Sequence, residues 1–125
     1  MATINLKTPD IQLFAKTAED TAKKIADSGG NRKNKSTQLR GFYDEILNWE
    51  QRSRQLDDTE FKQQLPLIHM LIAKAAYARA RDTVSQEFEN LMRDCILQVS
   101  DKTTLKNCKL FFEAFMGFYK VYGPK

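Results

Sequence analysis

Residues 67–81 read Leu67-Ile68-His69-Met70-Leu71-Ile72-Ala73-Lys74-Ala75-Ala76-Tyr77-Ala78-Arg79-Ala80-Arg81, and the class of fold follows from this stretch. Its first half is apolar nearly all round, as expected of a helix in the middle of a bundle. Its second half alternates alanine with longer side chains, and the small residues permit close approach of a neighbouring helix. Upstream, Pro66 either kinks one long helix or starts a new one after a short turn over 58–65. Asp57-Asp58 mark the start of this region.

Further helices extend on both sides. Toward the N-terminus, Ser36 or Thr37 opens a helix to about residue 54, with Leu39, Phe42, Tyr43, Ile46, Leu47 and Trp49 as its apolar stripe. Before it stands a polar basic loop, Asn31-Arg32-Lys33-Asn34-Lys35, and before that Gly29-Gly30 closes a first helix. Thr8 is read as that helix's N-cap, with Pro9 in first position and Asp10 on the dipole; Ile11, Phe14, Ala15, Ala18, Ala22 and Ile25 follow. Toward the C-terminus, Thr83 with Gln86 suggests a capping box, followed by Phe88, Leu91, Met92, Cys95, Ile96 and Val99. A last helix starts near Asp101 or Thr103, carries Leu105, Cys108, Phe111, Phe112, Phe115, Met116, Phe118 and Tyr119, and stops at Gly123-Pro124. The expectation is an all-α, single-domain bundle of about five helices, near 9–28, 36–54, 58–81, 84–99 and 102–121. No β-alternating segment or internal repeat stands out.

Composition agrees. The 125 residues suit one domain, and five Gly and three Pro are too few for a many-turned β-fold. No apolar run approaches the roughly 20 residues that span a bilayer, and Met1–Lys7 lacks the apolar stretch of a signal peptide. A cytoplasmic protein is expected, with Cys95 and Cys108 as buried free thiols.

The net charge is +4, and its distribution says more than its size. Residues 32–54 carry six Lys/Arg against three acids and 101–125 carry five against two, so the excess sits in two segments, as a localised binding surface requires. Reactive chemistry is sparse. The single histidine, His69, lies in an apolar helix and reads as a satisfied core or interface residue. There is no zinc-ligand spacing, P-loop or dinucleotide fingerprint. Asp44-Glu45 and Asp57-Asp58 are adjacent, so their side chains diverge on a helix. No enzyme, metal or cofactor is expected.

Three stretches carry a resemblance. Ser36-Thr37-Gln38-Leu39-Arg40-Gly41-Phe42-Tyr43 resembles the Ser/Thr-x-Gln-Ile/Leu-Arg-x-Phe-Tyr signature of the small subunit of type III-A CRISPR–Cas (Csm) effector complexes. Lys74 to Arg81 resembles that family's Lys-x-x-x-Tyr-Ala-x-x-Arg helix, and Phe111 to Lys120 its closing Phe-Glu-Ala-x-x-x-Tyr-x-Lys segment. Gly41 stands where a charged residue is common. The resemblance implies a small helical, non-catalytic protein stacking in several copies as the inner filament. It would contact the target strand of the crRNA–target RNA duplex, other Csm subunits and copies of itself.

A protein that lines any target must grip phosphates rather than read bases. The candidate RNA-binding residues are Lys33 and Lys35 in the basic loop, Arg40, Arg52, Arg54, Lys74, Tyr77, Arg79, Arg81 and Lys120. The loop is either a solvated linker or, placed before a helix N-terminus, a seat for phosphate. Arg40 contacts phosphate, pairs with Asp44 at i,i+4, or does both. Arg52 and Arg54 serve RNA or complement the helix dipole. Lys74, Tyr77 and Arg81 share one face, either as a cationic stripe around an aromatic or as a solvated edge with Tyr77 half-buried. Arg79 points elsewhere, toward a subunit contact. Lys120 is an RNA contact or an ordinary helix-end charge. The C-terminal aromatics are core, with part of that surface available to another subunit. The alternatives are a helical protein–protein adaptor without nucleic-acid contact and a helix-turn-helix DNA binder, for which the apolar 67–73 run is a poor reading head.

Overall fold

Phe111, Phe112, Phe115 and Tyr119 recur at helical steps and are all essentially inaccessible to solvent, which makes the last helix the axis of the molecule. The computed structural model describes residues 4–124, so the Met1–Lys7 reading and the charge of Lys125 fall partly outside it. Five helices follow in order: α1 (Lys16–Gly29), α2 (Ser36–Ser53), α3 (Asp58–Ala80), α4 (Gln86–Leu97) and α5 (Lys102–Tyr122). No strand occurs among the described residues. α5 packs against α1 on one side and α2 on the other, while α3 packs chiefly on α4 and touches α2 along one edge. The rings of α5 meet one another edge-on or stacked, from Phe111 through Phe112 and Phe115 to Tyr119. Phe42 of α2 meets Phe88 of α4 edge-on at 5.4 Å.

Three expectations are corrected. α1 starts at Lys16, not beside Thr8: Asp10 accepts a bond from the Gln12 N–H, residues 11–15 form turns, and Ile11 is 91% exposed. The side chain of Asp10 satisfies the local backbone in a turn, the competing use of a capping residue, and Leu13 rather than Ile11 enters the core. α4 is capped by Ser85, whose hydroxyl accepts from the Phe88 N–H; Thr83 instead donates its hydroxyl to the Ala78 carbonyl. α3 runs unbroken from Asp58 through Pro66, so 58–65 is helix and not turn. Asp57 and Glu60 close a full capping box at its start.

α3 is also not the middle of the bundle. Phe61, Ile68, Leu71, Ala75 and Ala78 face inward, but Leu67, Met70 and Tyr77 are about half exposed or more. The apolar run therefore covers two faces, one on α4 and one on solvent. An extended N-terminal arm completes the core. Ile4 and Leu6 are buried, and the Gln98 side chain accepts from the Leu6 N–H and donates to the Ile4 carbonyl, each at 2.8 Å. Asn107 donates to the Leu6 carbonyl at 2.8 Å.

Candidate nucleic-acid interface

The basic loop is held from inside by Asn34, which is fully buried. Its backbone takes φ +58°, a left-handed conformation that Asn tolerates better than most residues. Its amide nitrogen lies within hydrogen-bond distance of the Ile25 carbonyl and the Ser28 and Ser85 hydroxyls. Its side-chain oxygen accepts from the Ser85 N–H at 2.8 Å. Its backbone N–H donates to the Thr83 carbonyl, and its carbonyl accepts from the Tyr119 hydroxyl at 2.5 Å. One residue thus ties the end of α1, the α3–α4 turn and α5 together. Gly29 and Gly30 make this possible. A Cβ on Gly29 would lie 2.9 Å from the Asn34 amide, and Gly30 has φ +57°.

This anchoring brings the loop beside the end of α3. Lys33 lies 3.6 Å from Asp82 in the turn that follows Arg81. Lys35 is exposed and forms the backbone N-cap of α2. Arg81 donates to the Tyr77 hydroxyl at 3.0 Å and sits 5.6 Å from the centre of its ring. Tyr77 is 63% exposed rather than half-buried.

From this edge a groove runs between α2 and α3. One hollow is lined by Thr37, Gln38, Gly41 and Phe42 from α2; the next by Asn48, Trp49 and Arg52 of α2 with Leu67 and Met70 of α3. Glu45 and Lys74, paired at 2.5 Å, stand at both. The guanidinium of Arg52 lies over the Trp49 ring, 4.9 Å from its centre. Lys74, Tyr77, Arg81 and Arg52 therefore line one side of the molecule, mixed with exposed apolar side chains.

The other candidates lie elsewhere. Arg79 bonds Glu89 of α4 at 2.6 Å. That carboxylate is nearly buried, and the bond from Arg79, joined by Arg93, holds its pKa below the usual range. Arg54 grips both oxygens of the buried Glu50 at 2.9 and 2.7 Å and lowers its pKa likewise. Arg40 is exposed and makes no ion pair with Asp44 or any other described residue. Lys120 is exposed near the end of α5. At about 100° per residue, Arg40 and Arg54 project from one side of α2 while Glu45, Trp49 and Arg52 project from nearly the opposite side. The ten nominated residues are thus split between faces, and Lys33, Arg54, Lys74 and Arg79 already have carboxylate partners.

Two features escaped sequence reasoning. Asn34 was one polar residue in a polar loop, and its partners are 51 and 85 positions away. Lys102, Lys106 and Lys109 were counted in a basic segment but not nominated. They meet Arg54 around one hollow, and their i, i+4, i+7 spacing was the available signal.

His69 hydrogen-bonds the Val99 carbonyl through Nε2 at 2.9 Å. Cys95 and Cys108 are buried free thiols; burial drives both pKa values up, that of Cys108 to about 12. The α5 aromatics are core as expected, with Phe111, Phe112, Phe115 and Tyr119 buried and Phe118 half-buried; exposed apolar side chains lie at the end of α5, at Val121 and Tyr122, and on α3, at Leu67, Met70 and Tyr77. Among the described residues no helix is long and apolar enough to cross a membrane, and no cluster of three His, Cys, Asp or Glu side chains could hold a metal ion.

A comparison with curated proteins and one with solved structures return no significant match. A family model described as Csm2 Type III-A matches residues 8–125, which takes in both helices of the groove, the basic loop and all of α5. A match over nearly the whole length, on an all-helical bundle with the three motifs in order, means that the chain belongs to the Csm2 type III-A family and is a small subunit of the type III-A CRISPR complex.

Proposed function

We propose that this subunit is non-catalytic, stacks in multiple copies in the inner filament of the interference complex, and contacts the target strand of the crRNA–target RNA duplex regardless of sequence. It would act in antiviral defence, in the cytoplasm, beside other Csm subunits. The observation that carries the reading is the Asn34-anchored edge. There the loop bearing Lys33 and Lys35 is fastened to the turn that follows Arg81, so cations from distant parts of the chain form one rigid set. A preordered set of charges binds phosphate without first losing side-chain and loop freedom. Base edges would need bidentate Asn, Gln or Arg contacts, whereas lysines and a tyrosine-backed arginine suit a sugar–phosphate track.

Counterion release supplies the test. If three or four cations meet a single strand per protomer, log K against log salt should have a slope of about −2 to −3. Filter binding of the full chain to RNAs of unrelated sequence should give that slope and similar affinities. A flat response, or a strong preference for one sequence, would refute RNA lining.

The second reading, a protein adaptor without RNA contact, is favoured by one observation. The α2–α3 groove exposes Leu67 and Met70 next to Trp49, and aromatic and Met side chains are enriched where proteins meet. On that reading, Lys35→Ala with Arg81→Ala leaves RNA association unchanged, while Met70→Glu prevents copurification with the other subunits. RNA lining predicts weaker RNA association in the first variant.

A further inference from the structure

We infer that a second phosphate site, separate from the groove and the loop edge, lies between the end of α2 and the start of α5, and that a ribose–phosphate backbone occupies it. The inference rests on the RNA-lining reading above and adds a strand contact on another side of the subunit. The hollow has a volume of about 330 Å³. α2 contributes Glu50, Ser53 and Arg54; α5 contributes Lys102, Thr103, Lys106 and Lys109.

The charges do not cancel. Arg54 spends its planar fork on both oxygens of Glu50, so that pair has no net charge, although Lys106 and Lys109 also lie close enough to lower the Glu50 pKa further. Lys109 lies 3.3 Å from Glu113, a second neutral pair. Lys102 donates to the Leu56 carbonyl, an uncharged acceptor that leaves its charge uncompensated. Lys106 is exposed and makes no hydrogen bond or ion pair with any described residue. Two full positive charges therefore remain one helical turn apart, with the Thr103 hydroxyl at the same hollow.

The composition selects the partner. Every lining side chain is polar or charged, and three are lysines. Cores of protein interfaces are enriched in aromatics and Met and depleted in Lys, which describes the α2–α3 groove and not this hollow. Flexible lysines act as point charges suited to phosphate in any orientation, as contact with an arbitrary sequence requires. Residues 50, 53 and 54 project from α2 roughly 130° around from Glu45, Trp49 and Arg52. α2 thus separates two surfaces of different chemistry.

The experiment uses the full chain and a short oligouridylate. In an NMR titration of the isotope-labelled protein, amides and side chains of Lys102, Lys106 and Lys109 should shift in fast exchange, alongside those of the loop edge. In parallel, Lys102→Ala with Lys106→Ala should reduce the magnitude of the log–log salt slope by about 1.4, two cations at about 0.7 each. The Lys→Arg pair should restore it, and circular dichroism confirms that both variants fold. If RNA shifts only the loop edge and the alanine pair leaves the slope unchanged, the second site is wrong and RNA lining stands. If no residue shifts, RNA lining fails as well. If Lys106→Glu leaves RNA binding intact but prevents copurification with the other subunits, the hollow takes an acidic protein surface and the inference is overturned.

Discussion

Removing the Asn34 side chain would strand the buried Ser85 N–H and leave the Ser28 and Ser85 hydroxyls with fewer partners. It would also put Ala at φ +58°. Each unsatisfied buried group costs about 1–3 kcal/mol, so Asn34→Ala should destabilise the chain by about 2–4 kcal/mol in urea unfolding. RNA affinity should fall as well, even where the variant remains folded, because the cations of the loop would no longer be held in register. No local pattern announces such a residue. Its sequence context is that of any solvated linker, and only the tertiary fold brings Ile25, Ser85 and Tyr119 around it. His69 and the two cysteines were legible at once, because an apolar helical context is enough to bury the thiols and to leave a half-buried His69 with a backbone partner. The cations were legible as cations but not by partner: the carboxylates opposite Lys33, Lys74 and Arg79 come from other segments.

Among the elements, α2 and α5 followed from their periodicity; Asp101, one of the two starts read for α5, forms a capping box with Thr104, whereas α2 is preceded by Lys35 with no side-chain cap. The start of α1 was misread because Thr-Pro-Asp serves a turn as well as a cap, and the α4 cap because Thr83 and Ser85 are both competent hydroxyls. Gly41 and Gly117 lie inside α2 and α5, and a Cβ on either meets nothing within 4 Å. A mid-helix glycine costs about 0.5–1 kcal/mol relative to alanine, so Gly41→Ala and Gly117→Ala should each stabilise the isolated chain by that amount in thermal melts. Neither glycine is required by the fold of one subunit. If Gly41→Ala stabilises the chain yet weakens its recovery with the complex, the open face at Gly41 is where a neighbour comes close.

For the molecule as a whole, the all-helical class was legible from 67–81, but the place of that helix was not. An apolar run fits a central helix and an outer helix with a solvent-facing apolar side equally well, and the aromatic weight of α5 decides the centre. The buried carboxylates set the acid limit of stability. Hydrogen bonds from Arg54 and Arg79 hold Glu50 and Glu89 below their ordinary value of 4.5, and the Thr104 cap lowers Asp101; Asp94, raised by burial, opposes them weakly. Depressed carboxylates favour the folded state when ionised, so their contribution is full above about pH 4.5 and is lost as pH falls through the folded values. Urea midpoints should therefore drop on acidification, and Glu89→Gln should flatten that drop while lowering the neutral-pH midpoint. The one-sided attachment of α3 has a kinetic consequence. An outer helix resting chiefly on one neighbour opens at lower free energy than the axis it leaves behind, so among the helical amides native-state deuterium uptake should be faster at Leu67–Tyr77 than along Phe111–Tyr119. Uptake at Leu67–Tyr77 that slows inside the assembled particle would identify α3 as a surface each subunit turns toward its neighbour, without any label or substitution.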